Sequence, residues 1–222
     1  MNFETARHNM IEQQLRPWNV YDPLVIEGLY ADRRENFVPD AYRALAFADV
    51  ETPIAPGKSG ACLLSPKLEA RVLQALAVQP GERVLEIGAG SGHMAALLAG
   101  RAGEVLSIEI DPVLAAIARA NLDRAGIDNV SVEIGDGLAG LPAQGQFDVI
   151  VVSGGLTAIP QALIDPLAVG GRLAAFVTLP GQAPTMSLRV LKRISTDAVA
   201  STDVLETVVP MLQQSSTGHF VF

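Results

Sequence analysis

"RVLEIGAGSGHMAALLA", residues 83–99, is the stretch that decides the fold. Val84 and Leu85 are apolar, Glu86 interrupts, and Gly88, Gly90 and Gly92 follow at alternate positions before an Ala/Leu-rich run. A strand that stops at glycines and restarts as a helix is the arrangement that holds nucleotide-like ligands. Glycine is required because backbone must turn sharply and approach the ligand without a side chain.

Working outward, short apolar runs alternate with helical segments. "EVLSIEID" reads as a strand. "PVLAAIARANLDRAG" reads as a helix, with Asp111 as N-cap, Pro112 at its first position and Gly126 closing it. "NVSVEIGD" and "FDVIVVSG" are the next strands, and the near-continuous "VIVV" predicts burial on both faces. "IPQALIDPLAVGG" predicts a helix ending at a glycine pair, "RLAAFVTL" a fifth strand, and "SLRVLKRIS" and "SSTGHFVF" later strands. The fold class is therefore α/β, a doubly wound, mostly parallel sheet. Residues 1–80 differ, with helices over "ETARHNMIEQQLR", "DPLVIEGLYA" and "SPKLEARVLQALAV" and a Pro/Gly-rich loop, "ETPIAPGKSGACLLSP". Without a repeat or a low-complexity linker, residues 1–222 are expected to form one domain, 1–80 covering one end of the sheet and supplying a substrate loop, 81–222 forming the sheet core.

The totals bound the partners. A chain of 222 residues, 49% hydrophobic, buries a sizeable core. A formal net charge of −8 argues against nucleic acid, whose phosphates need clustered Lys and Arg. One cysteine, Cys62, excludes an internal disulfide framework and fits a reducing compartment. The N-terminus "MNFETARHNM" lacks the apolar core of a signal peptide, and no apolar run approaches a membrane span. A soluble, cytoplasmic protein is expected, with a monomer as the default state.

A ribose-binding acid is expected roughly 20 residues beyond the glycines, at the end of the second strand, and Glu109 stands there. A dinucleotide fingerprint needs G-x-G-x-x-G, whereas this loop reads G-A-G-S-G-H and has no basic group for a pyrophosphate. Written with Glu86 as E-x-G-x-G-x-G, it instead resembles the first motif of class I S-adenosylmethionine-dependent methyltransferases. That resemblance implies a Rossmann-like methyltransferase fold. It implies S-adenosyl-L-methionine as cofactor and S-adenosyl-L-homocysteine as its product. The residues expected to bind the cofactor are Glu86, Gly88, Ala89, Gly90, Gly92, His93, Glu109, Ile110, Gly135, Asp136 and Gly137. Asp136 is placed by it to accept from the adenine amino group.

The flanks narrow the family. Met10 to Arg16, Arg34 to Pro39 and Ala48-Asp49 to Pro53-Ile54 echo M-x-x-Q-L/I, R-E-x-F-V-P and A-Y-x-D…L-P-I of the protein-L-isoaspartate O-methyltransferases. "NVSVEIGDGLAG" and "FDVIVVSGGLTAIPQALIDPLAVGGRL" continue the resemblance, which spans residues 5–178. It implies methyl transfer to the carboxyl of isoaspartyl residues in damaged proteins, with isoaspartyl peptides as partners. The family carries G-x-x-I/T-S-x-P before the helix leading into the first strand, and its serine is implicated in holding the substrate carboxyl. Here "PGKSGACLLSPKLEA" puts Leu64 there when aligned on Pro66 and Ala70, or Ala61 when aligned from Pro53-Ile54; Ser59 and Ser65 flank the position in a longer loop. After the fourth strand, Ser153-Gly154-Gly155 replaces the family's usual alanines. Leu64, Ser65, Ser153 and Gly154 are the expected acceptor pocket. A methyltransferase for another carboxyl or a small molecule, and a non-catalytic cofactor binder, remain alternatives.

Other residues have plainer readings. Cys62 lacks an identifiable His or Asn partner and reads as a small apolar filler. His93 opens the helix after the glycines, lining the methionine pocket or capping that helix. His8 and His219 lack metal-ligand spacing. Trp18 reads as an anchor for the N-terminal helix, and Arg33-Arg34 as surface or segment-docking ion pairs.

Overall fold

A computed structural model describes residues 2–140 and 145–214. The strand expected over "SSTGHFVF", and His219, lie outside the described residues.

The centre is a seven-stranded sheet in the order β5-β4-β3-β6-β7-β8-β9. Its strands are β3 (Arg83–Ile87), β4 (Glu104–Glu109), β5 (Val130–Ile134), β6 (Phe147–Leu156), β7 (Leu167–Thr178), β8 (Met186–Ser195) and β9 (Ala198–Thr207). β3 pairs in parallel with both β4 and β6, so the chain reverses its winding between them. In such sheets the crevice for a ligand opens at the carboxyl ends of the strands flanking that reversal. The last two pairings, β7 with β8 and β8 with β9, are antiparallel, which makes the sheet parallel over five strands only.

Alternation along each strand feeds two cores. Val84, Val105, Val149 and Val151 pack toward the side of α3 (Pro66–Leu76), α4 (His93–Ala99) and α5 (Pro112–Ala125). Leu85, Ile87, Ile108, Ile150 and Val152 face the other side with Leu163 and Leu167. The N-terminal segment joins the first core: α1 (Phe3–Met10) continues through a π-helical turn, and α2 (Pro23–Ala31) follows, bringing Met10, Ile11, Leu15, Ile26 and Leu29 against it. The helix caps follow the sequence. Asp22 accepts from Leu24 and Val25 backbone N–H, Asp111 accepts from Val113, and Gly126 closes α5 at φ 69°.

Two segments depart from expectation. The helix expected over "IPQALIDPLAVGG" is only α6 (Gln161–Ile164), and Leu167 already begins β7. Asp165 still has helical backbone angles, but Pro166 supplies no N–H to carry the helix further, so it stops there, and Gly170-Gly171 lie within the strand. β9 is absent from the sequence expectation because "AVASTDVLET" has exposed, polar residues on both faces of an edge strand.

Candidate functional site

Three glycines shape the loop between β3 and α4. Gly92, at φ 84°, would place a Cβ 3.1 Å from the Ala118 carbonyl of α5, so it allows α4 to pack closely. Gly88, at φ 92°, would drive a Cβ to 2.9 Å from Leu212 Cδ2. The loop is braced from β4. The buried Glu109 carboxylate accepts from Gly90 N–H at 2.9 Å through one oxygen and from Asp111 N–H at 3.0 Å through the other. Each carboxylate oxygen keeps a lone pair for a further donor.

Glu86 is fully buried beneath the loop. Ser107 Oγ donates to it at 2.5 Å from β4, and Ser153 Oγ at 2.9 Å from β6. Burial pushes its carboxyl up to about 8, against the lowering effect of the two serines. Glu86 therefore knits three strand ends together.

Above these strand ends lies an open cleft holding about 840 Å³ of space. Glu86, Gly88, Ala89, Gly90, His93, Glu109, Ile110, Leu64, Ser153 and Gly154 all line it. Gly92 packs on α5 instead. Gly135, Asp136 and Gly137 lie at the end of β5 and do not line the cleft; Asp136 accepts from Leu138 N–H. Ser65 caps α3 by position, is buried without a hydrogen-bond partner for Oγ, and also stays outside. The described lining includes Glu69, Glu86 and Glu109 but no Lys or Arg, while Ile54, Met94, Ile110 and Leu114 supply apolar surface. The lone pairs left on Glu109 and the apolar lining fit a nucleoside whose ribose diol donates to a carboxylate.

The family model for "Protein-L-isoaspartate(D-aspartate) O-methyltransferase" matches residues 5–215. The chain belongs to this family. Protein-L-isoaspartate O-methyltransferase 1 of Rhodopseudomonas palustris is 44% identical over 172 residues, covering 78% of this chain and 69% of the relative. The Gloeobacter violaceus protein-L-isoaspartate O-methyltransferase is 37% identical over 210 residues, covering 95% and 100%. Among solved structures, a protein-L-isoaspartate O-methyltransferase superposes with a TM-score of 0.82 at 26% identity, covering 93% of this chain and 66% of that longer one. A Plasmodium falciparum structure in complex with S-adenosyl-L-homocysteine gives 0.78 at 19% identity, covering 96% and 99%, which shows a shared fold.

Against the family's pattern, the Pro/Gly-rich loop over residues 51–66 is the distinctive part of this protein-L-isoaspartate O-methyltransferase relative. It forms a small hairpin, β1 (Thr52–Pro53) paired antiparallel with β2 (Cys62–Leu63), followed by Leu64. Leu64 is buried, and its carbonyl accepts from Arg34 Nη2 at 2.6 Å. Ser59, not Ser65, is the loop serine that reaches the cleft. A shallower groove of about 900 Å³, lined by Tyr42, Glu51 and Lys58 among others, shares Ser59–Cys62 and Pro210 with the cleft. Cys62 is no nucleophile: burial, then the neighbouring Glu51 carboxylate, pushes its thiol up to about 12.

A buried charge cluster underlies this wall. His93 is 2% exposed; its Nε2 lies 2.9 Å from Asp32 Oδ2 and its Nδ1 3.0 Å from Glu69 Oε2. Arg34 pairs with Glu69 and donates Nε to the Ala46 carbonyl at 2.7 Å. Burial opposes charge on the imidazole, but Glu69 and Asp32 outweigh it and raise His93 to about 9. His93 thus docks the glycine loop onto the N-terminal cover as an imidazolium. Arg34 does the segment-docking expected of it, while Arg33 is exposed. Trp18 does not anchor the helix: it is 47% exposed, with Lys67 Nζ 4.3 Å from its ring centroid.

Sequence reasoning missed Asp32, Glu69, Ile54 and the segment Pro210–Gln213. Glu69 left a signal, since it stands on the helical stripe with Val72, Leu73 and Leu76, all buried. The rim segment left none: Gly155 N–H donates to the Pro210 carbonyl and Leu212 N–H to the Gly155 carbonyl, contacts between stretches far apart in the chain. Among the described residues no group of three or more His, Cys, Asp or Glu is arranged to hold a metal ion, and no helix is long and apolar enough to cross a membrane.

Proposed function

We propose that this chain methylates the carboxyl of L-isoaspartyl residues in damaged proteins, leaving S-adenosyl-L-homocysteine. S-adenosyl-L-methionine supplies an electrophilic sulfonium methyl when bound. In this reading Glu109 accepts the ribose hydroxyls while bracing the loop, and Gly88 and Gly90 let backbone approach the methionine portion. Glu86 holds the strand ends that align them. The acceptor carboxylate is ionised at neutral pH, so the in-line displacement needs no general base; the residues contribute alignment and exclusion of water. The neighbouring backbone amide nitrogen of the substrate then attacks the ester carbonyl and expels methanol, giving a succinimide that water opens to re-form aspartate.

The observation that carries this reading is the junction of the two cavities. A flexible peptide laid in the outer groove meets the cofactor cleft at Ser59–Cys62 and Pro210, with Ser59 as the hydroxyl common to both. Buried Leu64 at the family's serine position supports a second reading, a different carboxyl or a small-molecule acceptor. The single cysteine supports a reducing compartment, which we take to be the cytoplasm.

Labelled methyl transfer from S-adenosyl-L-methionine to an isoaspartyl peptide, against its aspartyl twin, tests the proposal. Label in the isoaspartyl peptide alone is expected. Label in neither peptide, from folded protein that binds the cofactor, overturns it.

A further inference from the structure

The substrate loop and the end of β4 form opposite walls of the cleft. Ile54 and Ser59–Leu64 line one side; Glu109, Ile110 and Leu114 line the other. Ile54 reaches across to the glycine loop, its Cδ1 3.0 Å from where a Cβ on Gly90 would stand. The walls are tied at one more point. Lys58 Nζ donates to Asp111 Oδ2, in a pair whose side chains are 31% and 12% exposed. Asp111 sits between two lining residues, Ile110 and the first turn of α5, and its own N–H donates to Glu109. Lys58 therefore acts on the carboxylate end of the cleft without lining it.

We infer that Lys58 is a cofactor-retaining positioning residue: its ion pair with Asp111 fastens the lengthened loop across the Glu109 end of the cleft, so that a bound adenosyl group leaves only when the pair opens. The inference rests on the cofactor assignment proposed above. Three features favour it. The pair joins residues 53 positions apart, so it closes a gap that local structure does not. It lies in the stretch where the loop exceeds the family's pattern. Its aspartate keeps a second duty, capping α5 through the other oxygen, and is therefore held in place when Lys58 swings away.

The test uses S-adenosyl-L-homocysteine, which carries no sulfonium and so removes charge repulsion with Lys58 from the reading. Lys58→Ala and Asp111→Asn are compared with wild type by calorimetry and by stopped-flow dissociation; asparagine still caps a helix, so α5 survives. Each variant is expected to weaken binding roughly threefold to tenfold, through faster dissociation. The double variant is expected to match the singles, because one pair is lost in every case. Added salt is expected to speed dissociation from wild type toward the variants, which stay flat. Without ligand, trypsin is expected to cut after Lys58 faster in Asp111→Asn than in wild type. Unchanged dissociation in both variants, or losses that add in the double variant, would overturn the inference. Wild type that fails to bind S-adenosyl-L-homocysteine at all would overturn the cofactor assignment itself, and the inference with it.

Discussion

The two walls of the cleft are built in opposite ways. The wall at β3, β4 and the glycine loop is made largely from neighbours in sequence: Gly88, Gly90 and Glu109 fall at consecutive strand ends, and backbone N–H groups satisfy the Glu109 carboxylate. The facing wall is assembled from distant pieces. Asp32 and Arg34 come from the cover, Glu69 from α3, the hairpin from residues 52–63, and Pro210–Leu212 from beyond β9. Side-chain charge joins its cover and α3 to His93. One wall is a local motif; the other depends on the whole fold being in place.

The first way to break this contrast is to remove charge from the distant wall. Arg34→Met leaves the buried Glu69 and His93 arrangement unbalanced and is expected to cost roughly 3–5 kcal/mol of stability in urea unfolding. Replacing Arg34 and Glu69 together with apolar residues is expected to restore part of that loss. A cost under about 1 kcal/mol for the single change would mean the cluster is not structural.

On the local wall the largest loss should appear in binding. Glu109→Ala removes the acceptor for Gly90 and Asp111 N–H, and cofactor affinity is expected to fall on the order of 100-fold in calorimetry. Stability should change far less than in Arg34→Met. Equal losses in both properties would erase the distinction between the walls.

The charge cluster also sharpens the contrast through pH. His93 is raised to about 9 when folded, above its ordinary value near 6.5. Its stabilising contribution is full below about pH 6.5 and is lost as pH rises through about 9. Glu86, raised to about 8, works in the same direction, because ionising it in the folded core is costly. Urea-unfolding free energy is expected to decline from about pH 5, through Glu86, to about pH 9, through His93, in wild type. His93→Gln should be less stable at the acid end and lose part of the slope. An unchanged slope in His93→Gln would assign the decline to other groups.

The smallest effect is expected from Cys62→Ala. With its thiol held near 12, Cys62 has no thiolate to contribute, and turnover is expected to stay within about twofold of wild type. Loss of turnover in this variant would require a chemical role for the outer groove.

This difference between walls also explains what could be read in the sequence. The order of strand, glycine loop and helix at Arg83–Ala99, and the Asp111 and Gly126 caps, are dictated by short-range spacing. So is Glu109, whose position follows from the length of one βα unit. His93 was visible as a residue but not as a bridge, since its partners Asp32 and Glu69 lie 61 and 24 positions away. Ser65 looked closer to the acceptor than Ser59 in linear order. The hairpin reverses that, carrying Ser59 to the cleft and turning Ser65 into the buried start of α3. The helix expected after β6 ends at Pro166, whose missing N–H outweighs the apolar periodicity that continues beyond it. The antiparallel β8–β9 edge carries too little apolar alternation for its second strand to announce itself.

We propose that a wall with Leu64 where the family resemblance places a serine still presents an isoaspartyl carboxyl to the methyl donor. Mass spectrometry of an isoaspartyl peptide incubated with the protein and S-adenosyl-L-methionine tests it most directly, because it follows the product as well as the transfer. One added methyl is expected on the isoaspartyl carboxyl, lost as methanol when the succinimide forms, with the aspartyl twin untouched. A methyl that stays on through mild base, or one found equally on both peptides, would contradict it.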